Sequence, residues 1–335
     1  SIARPSPGSG RRFATWRRPG SSCRPADDAV TLESRLRIAA EVGEALAAGR
    51  AVVALESTLI SHGLPPPDNL EVARDAEAAV RAEGAIPATV AVSGGRVLVG
   101  LSDAQLAELA GLPRDRVVKA ARPSLAAALA RGGWAGTTVS ATMLAARAAG
   151  IAVFATGGIG GVHRGAPFDV SSDLDELART PLAVVCAGPK SILDVSATLE
   201  VLETRGVPVV SLGSPEVAGF LAQTSGVAAP IVAADEAELA SLVAAHLGLG
   251  LGSAILVCVP LPAAEALPDD VARAATDAAI AAAAAAGIHG PGLTPFVLDR
   301  IAALTDGAAV RANRALIVND ARIAARLART LAPAG

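Results

Sequence analysis

Tyrosine is absent from the 335 residues, and aromatics of every kind make up only 2%. Side chains on which single-stranded bases could stack are therefore scarce, and no nucleic-acid partner is expected. Cys23, Cys186 and Cys258 are too few and too far apart for a disulfide framework or a cysteine-based zinc site. The chain therefore reads as cytoplasmic. His62, His163, His246 and His289 are widely separated, which speaks against a histidine-rich metal centre. A long, strongly apolar run is also missing. Mean hydropathy is +0.47, but alanine supplies much of it. The most apolar stretch, residues 272–288, is mostly alanine and carries Arg273 and Asp277. A spanning helix needs about 20 strongly apolar residues, so no membrane span is expected.

Familiar catalytic signatures are missing as well. The glycine-rich run Thr156-Gly157-Gly158-Ile159-Gly160-Gly161 lacks the dinucleotide frame, because a start at Gly158 places the third glycine position on His163. There is no Gly-x-x-x-x-Gly-Lys phosphate loop, no His-Glu-x-x-His pair and no Gly-x-Ser-x-Gly.

Charge is unevenly distributed. Six arginines (Arg4, Arg11, Arg12, Arg17, Arg18 and Arg24) precede the first acidic residue, Asp27, among abundant Pro, Gly and Ser. Residues 1–30 are accordingly expected to be a disordered extension and are assigned no chemistry. The remaining residues, 31–335, read as one domain. Short apolar runs alternate there with longer Ala/Leu/Glu/Arg stretches. Predicted strands are Ala51–Leu55, Ala88–Val92, Arg96–Val99, Ala152–Ala155, Leu182–Cys186, Pro208–Leu212 and Ala254–Val259. Predicted helices include Ser34–Ala48, Leu70–Glu83, Val139–Ala149, Ser191–Thr204, Glu216–Ala222, Glu236–His246, Asp269–Ala286 and Ala309–Leu331. Strands without polar alternation are buried on both faces, and their interleaving with helices implies parallel βαβ units. The expected fold is a three-layer α/β/α arrangement with a mostly parallel central sheet and a helical C-terminal portion.

Ligands of such sheets gather beyond the carboxyl ends of the strands. Glu56, Thr156 and Lys190 follow predicted strands there, and Lys119 follows the short apolar pair Val117-Val118. Lys190, after Gly188-Pro189, emerges from an apolar strand end. Burial there would favour the neutral amine, the nucleophile that forms Schiff bases; the alternative is an ordinary surface lysine at a helix start. Glu56 reads as a capping carboxylate or as a general acid/base. Asp169 and Asp173 flank Ser171-Ser172, a pattern that suits helix capping, phosphate binding or a hard cation such as Mg²⁺ or Mn²⁺. His163-Arg164, just upstream, would reach an anion or a uracil-like ring.

Four stretches together carry a resemblance. They are Val53–Gly63 (VALESTLISHG), Gly136–Thr142 (GTTVSAT), Phe154–Gly165 (FATGGIGGVHRG) and Val184–Asp194 (VVCAGPKSILD), with a later match from Asn313 to Asn319. They resemble the pseudouridine-5′-phosphate glycosidase family, which includes relatives from indigoidine clusters, over nearly all of residues 35–330. The resemblance implies reversible cleavage of pseudouridine 5′-phosphate to uracil and ribose 5-phosphate, one Mn²⁺ per subunit and a homotrimer. By the same resemblance Lys190 is the covalent nucleophile, Glu56 the proton donor and Asp169 the metal ligand. Lys119, Val139, Ser171, Ser172, Asp173, His163, Thr156 and Asn313 are implied as substrate-binding residues.

The chain departs from the family pattern near these positions. Only Ala166-Pro167-Phe168 separate Gly165 from Asp169, Ala120-Ala121-Arg122-Pro123 replaces a more basic run, and Asn319-Asp320 stands where relatives pair two asparagines. Two further readings stay open: the same lysine chemistry on another base or sugar phosphate, and a catalytically silent sugar-phosphate-binding protein.

Overall fold

The computed structural model describes residues 31–288 and 292–333. The extension expected to be disordered lies outside these residues, as does His289. From Leu32 onward the chain forms one unit. Its strands are β1 (Leu36–Ile38), β2 (Val52–Leu55), β3 (Ile86–Ser93), β4 (Arg96–Val99), β5 (Val118–Ala120), β6 (Ala135–Thr137), β7 (Val153–Ala155), β8 (Val162–His163), β9 (Ala166–Val170), β10 (Ala183–Cys186), β11 (Leu193–Asp194), β12 (Val209–Leu212), β13 (Ile231–Ala233) and β14 (Ile255–Cys258). The helices are α1 (Leu32–Arg35), α2 (Ala40–Ala47), α3 (Asp68–Ala82), α4 (Asp103–Gly111), α5 (Leu125–Arg131), α6 (Val139–Ala149), α7 (Ser172–Leu177), α8 (Val195–Thr204), α9 (Glu236–Leu249), α10 (Asp269–Ala285), α11 (Leu293–Leu304) and α12 (Ala308–Leu331).

The main sheet runs β1-β4-β3-β2-β7-β10-β14-β12-β13, with β6 pairing β3 and β5 pairing β6. From β3 through β13 every neighbouring pair along this path is parallel. The antiparallel exceptions both involve the far half of β3, which pairs with β4 and β6. Central strands β2, β10 and β14 are buried at every residue. Alternation sends their side chains to opposite layers. Val53, Leu55, Val185 and Val257 meet α3, α9, α10 and α12 on one face. Val52, Ala54, Phe154, Val184 and Leu256 meet α2, α6 and α8 on the other. The fold is therefore the expected three-layer α/β/α arrangement with a largely helical C-terminal portion. Among the described residues no helix is long and apolar enough to cross a membrane.

Several segments differ from expectation. Within the predicted helix Ser34–Ala48, Leu36–Ile38 instead extends the sheet edge beside β4. Residues Glu216–Ala222 form no helix, being tied by bridges from Glu216 to Ala228 and from Gly219 to Ala222. The Ser211 and Ser214 hydroxyls also donate to the Glu216 carbonyl, at 2.8 and 2.9 Å. Side-chain bonds of this kind compete with helical ones. Helix α8 starts at Val195 because Asp194 caps it, accepting from the Ala197 N–H at 2.9 Å. A small antiparallel sheet, β11-β8-β9, was not anticipated. It places the His163-Arg164 hairpin beside the Lys190 turn.

Candidate active site

Glu56 leaves β2 at the carboxyl edge of the sheet. Thr137, at the end of β6, holds the next residue by donating its N–H to Ser57 Oγ at 2.9 Å. Glu56 is only 7% exposed and accepts a hydrogen bond from the Thr156 hydroxyl. Burial pushes its carboxyl above the usual range, against the opposing effects of the Lys190 charge and the Thr156 bond. The buried environment thus favours the protonated acid.

Lys190 is half-buried on a turn fixed by its backbone. Its N–H donates to the Ile159 carbonyl at 3.1 Å, and its carbonyl accepts from Leu193 N–H at 2.9 Å. Gly188, two residues earlier, has φ +89°, and a Cβ there would lie 2.5 Å from the Ala218 carbonyl oxygen. Only glycine fits that close approach without strain. Lys119 on β5 is exposed by surface area, yet its head is desolvated enough to lower its pKa, helped by the Lys190 charge and opposed by Glu56 and Asp173.

Two cavities share Glu56, Thr58, Lys119 and Lys190. The larger, about 420 Å³, lies within the usual range for ligand pockets of about 300–1,000 Å³. Val139, His163, Asp169, Ser171, Ser172 and Asp173 complete much of its wall. The smaller, about 100 Å³, adds Asn313 and His62 to an apolar lining that includes Leu64, Phe220, Leu298 and Ile317. The residues singled out from the sequence thus border one cavity or both, except Thr156, which bonds Glu56, and Arg164, which lines neither.

The side chains are not equally available. Asp173 is 6% exposed and already accepts from Ser140 N–H at 3.1 Å and Gly160 N–H at 2.9 Å. It therefore staples the α6 start to the glycine-rich loop. A Cβ on Gly160 would sit 2.3 Å from Ser171 Oγ and 2.9 Å from Asp173 Oδ2, so the run needs glycine for close packing rather than for a dinucleotide. Ser171 caps α7 by accepting from Asp173 N–H, and Ser172 Oγ lies 3.3 Å from Ser140 Oγ. Val139 opens α6 and lines the larger cavity, while the next N–H of that first turn, on Ser140, is taken by Asp173. Arg164 is not free for an anion in this cavity. Its guanidinium donates to the carbonyls of Leu193 and Ser191 at 3.0 and 2.9 Å and pairs with Asp277 at 2.8 Å.

Asp169 is exposed, and among the described residues its carboxylate accepts no hydrogen bond. No cluster of three His, Cys, Asp or Glu able to cage a metal occurs among the described residues. One available carboxylate facing a polar cavity fits a hard divalent ion that keeps most of its waters or takes substrate oxygens. It does not fit a metal caged wholly by protein.

Sequence reasoning understated His62 and missed Thr138 and Phe220. His62 borders the smaller cavity, and its pKa is lowered by burial and by the nearby charges of Lys119 and Arg114. Its Nδ1 is 2.8 Å from Ser61 Oγ. Thr138 lies inside a quoted motif, directly before Val139. Phe220 sits in the segment misread as helix and has φ +64°, so helical periodicity said nothing of where it points.

These features define an α/β enzyme whose pocket, at the carboxyl edge of a parallel sheet, joins a buried carboxylic acid to two lysines. The chain belongs to the Indigoidine synthase A like protein family, whose model matches residues 41–330. It is 50% identical over 299 residues to the pseudouridine-5′-phosphate glycosidase of Paracoccus denitrificans (strain Pd 1222), covering 89% of this chain and 98% of that protein. It is also 50% identical over 295 residues to that of Solibacter usitatus (strain Ellin6076), covering 88% and 98%. Among solved structures, the prealnumycin C-glycosynthase AlnA in complex with ribulose 5-phosphate superposes with a TM-score of 0.81 at 35% identity, covering 89% of this chain and 97% of that one. An indigoidine synthase A-like protein from Thermotoga maritima MSB8 gives 0.79 at 30% identity, covering 88% and 96%.

Proposed function

We propose that this protein reversibly cleaves the carbon–carbon glycosidic bond of pseudouridine 5′-phosphate, with water, to uracil and ribose 5-phosphate. The observation that carries the reading is the placement of Glu56 and Lys190 in the wall shared by two cavities of different character. The larger, lined by hydroxyls and the α6 start, suits the sugar phosphate. The smaller, with its apolar wall and Asn313 and His62, suits the base.

Uracil joined through carbon is a poor leaving group, so direct expulsion is slow. Glu56, kept protonated by burial, gives its proton to the ribose ring oxygen, and the C1′–O4′ bond breaks. The Lys190 amine adds to C1′ and loses a proton. Protonation of uracil C5 then lets the C1′–C5 bond break, its electron pair returning to the ring while nitrogen and C1′ form an imine. Water adds to that imine carbon, expels Lys190 and leaves ribose 5-phosphate as the aldehyde, which closes to the ring. Covalent catalysis divides one difficult step into easier ones. Lys119 and the Val139 N–H at the start of α6 hold the phosphate, while Asp173 ties the Ser140 N–H to the glycine-rich loop beside them. Asp169 would hold one Mn²⁺ per subunit, which supplies positive charge beside the substrate oxygens. The working form in this reading is a cytoplasmic homotrimer.

The likeness to a C-glycosynthase bound to ribulose 5-phosphate favours a second reading, the same lysine chemistry with another base or sugar. Incubating the protein with uracil, ribose 5-phosphate and Mn²⁺ separates the two. A dehydrated adduct by mass spectrometry that withstands acid and heat supports the first. Its absence, with product formed from another base or sugar, supports the second.

A further inference from the structure

Behind the Lys190 turn lies another cleft, walled by α10, the loop around Gly219–Ser225 and the residues flanking Lys190. Its lining includes Arg164, Ser191, Thr224, Asp269, Arg273 and Thr276. None of these lines the two cavities described above. Two of its hydroxyls are buried without a hydrogen-bond partner among the described residues: Ser191 Oγ and Thr276 Oγ1, the latter on a residue only 1% exposed. Buried polar groups left unpaired are rare and costly, so two bordering one cleft call for an occupant. Arg273, one turn before Thr276, makes no ion pair among the described residues.

The imbalance of donors and acceptors identifies the occupant's chemistry. Arg273 offers five N–H groups, Arg164 keeps two beyond its three bonds, and both hydroxyls can donate. The carboxylate in this lining, Asp269, already accepts from Thr224 Oγ1 at 3.3 Å. A cleft of about 70 Å³ with surplus donors matches an acceptor-rich group the size of one phosphate.

We propose that this cleft binds a tetrahedral oxyanion, either inorganic phosphate or the phosphate group of a sugar phosphate, between Arg273, Ser191 and Thr276. The site backs onto the reactive turn. Ser191 follows Lys190 directly, and Arg164 clasps the carbonyls of Ser191 and Leu193. An anion held there braces the backbone that presents the Lys190 amine.

Equilibrium dialysis of the full chain against radiolabelled inorganic phosphate tests this by stoichiometry. Arg273→Ala, a truncation at an exposed position, binds one phosphate fewer per chain than the wild type. Arg147→Ala, which removes an exposed arginine on α6, binds as many as the wild type. Excess ribose 5-phosphate leaves one label per chain bound if the cleft takes the free anion, and displaces it if the cleft takes the sugar's phosphate group. Equal stoichiometry in the wild type and Arg273→Ala overturns the proposal, as does a selenate-soaked crystal in which the cleft holds only water.

Discussion

Thr156 donates its hydroxyl hydrogen to the buried Glu56 carboxyl across the carboxyl ends of β7 and β2. The bond pulls the Glu56 pKa down while burial pushes it up. Thr156 thereby sets how far the acid is displaced from an ordinary carboxyl. Thr156→Val keeps the shape and removes the donor, so the pKa rises further. The proton on Glu56 is then held more tightly. The expected result is a kcat reduced about tenfold, with the alkaline limb of the kcat profile moved to higher pH. An unmoved limb would mean that a different group carries the transferred proton.

Lys190→Ala removes the amine while leaving the backbone bonds of its turn to Ile159 and Leu193. Turnover should fall by more than a thousandfold with KM nearly unchanged, because the lost interaction forms only along the reaction. Borohydride added with ribose 5-phosphate should reduce the imine to a stable adduct on the wild-type chain and none on the variant, as read by intact-protein mass. An adduct that persists in Lys190→Ala and maps to Lys119 would exchange the roles of the two lysines.

Asp169→Asn tests the metal side of the cavity. The substitution keeps size and removes the charge of the carboxylate that stands open to the larger cavity. Bound Mn²⁺, counted by electron paramagnetic resonance, should require at least tenfold more total metal for half-saturation. The Asp173→Asn variant affects the site differently. It weakens the backbone staple to Ser140 and Gly160, so it lowers thermal stability as well as activity.

The central strands were legible because Val52–Leu55, Ala183–Cys186 and Ile255–Cys258 are apolar throughout, and only burial on both faces tolerates that. Glu56 stood out because a charge directly after such a strand is unusual, and Lys190 because Gly188-Pro189 sets it just beyond another; Lys119, expected after Val117-Val118, instead lies within β5, off the central run. Short pieces were less visible. β1 has three residues, and its sequence Leu36-Arg37-Ile38 lies inside a strong helical run, so only pairing with β4 makes it a strand. Glu216–Ala222 contains helix formers but is held by side-chain bonds and bridges contributed from elsewhere in the chain. The stapling role of Asp173 was hidden for a similar reason, since its partners lie 33 and 13 residues away.

Asp320 offers a test in which the sign of a buried charge decides the outcome. It sits on α12, is 1% exposed, and among the described residues neither carboxylate oxygen has a hydrogen-bond partner. Burial pushes its pKa well above the ordinary value, and the nearby Cys186 adds in the same direction. The native state therefore keeps a proton that the unfolded chain releases above a pKa of about 3.9. Stability relative to a neutral side chain is complete below that value and is lost as pH rises toward the folded pKa. Asp320→Asn is neutral in both states and escapes this loss. Its melting temperature should match the wild type near pH 4 and exceed it increasingly toward pH 8, measured by circular dichroism in one buffer series. A difference that stays constant from pH 4 to pH 8 would show that Asp320 is not held as the neutral acid.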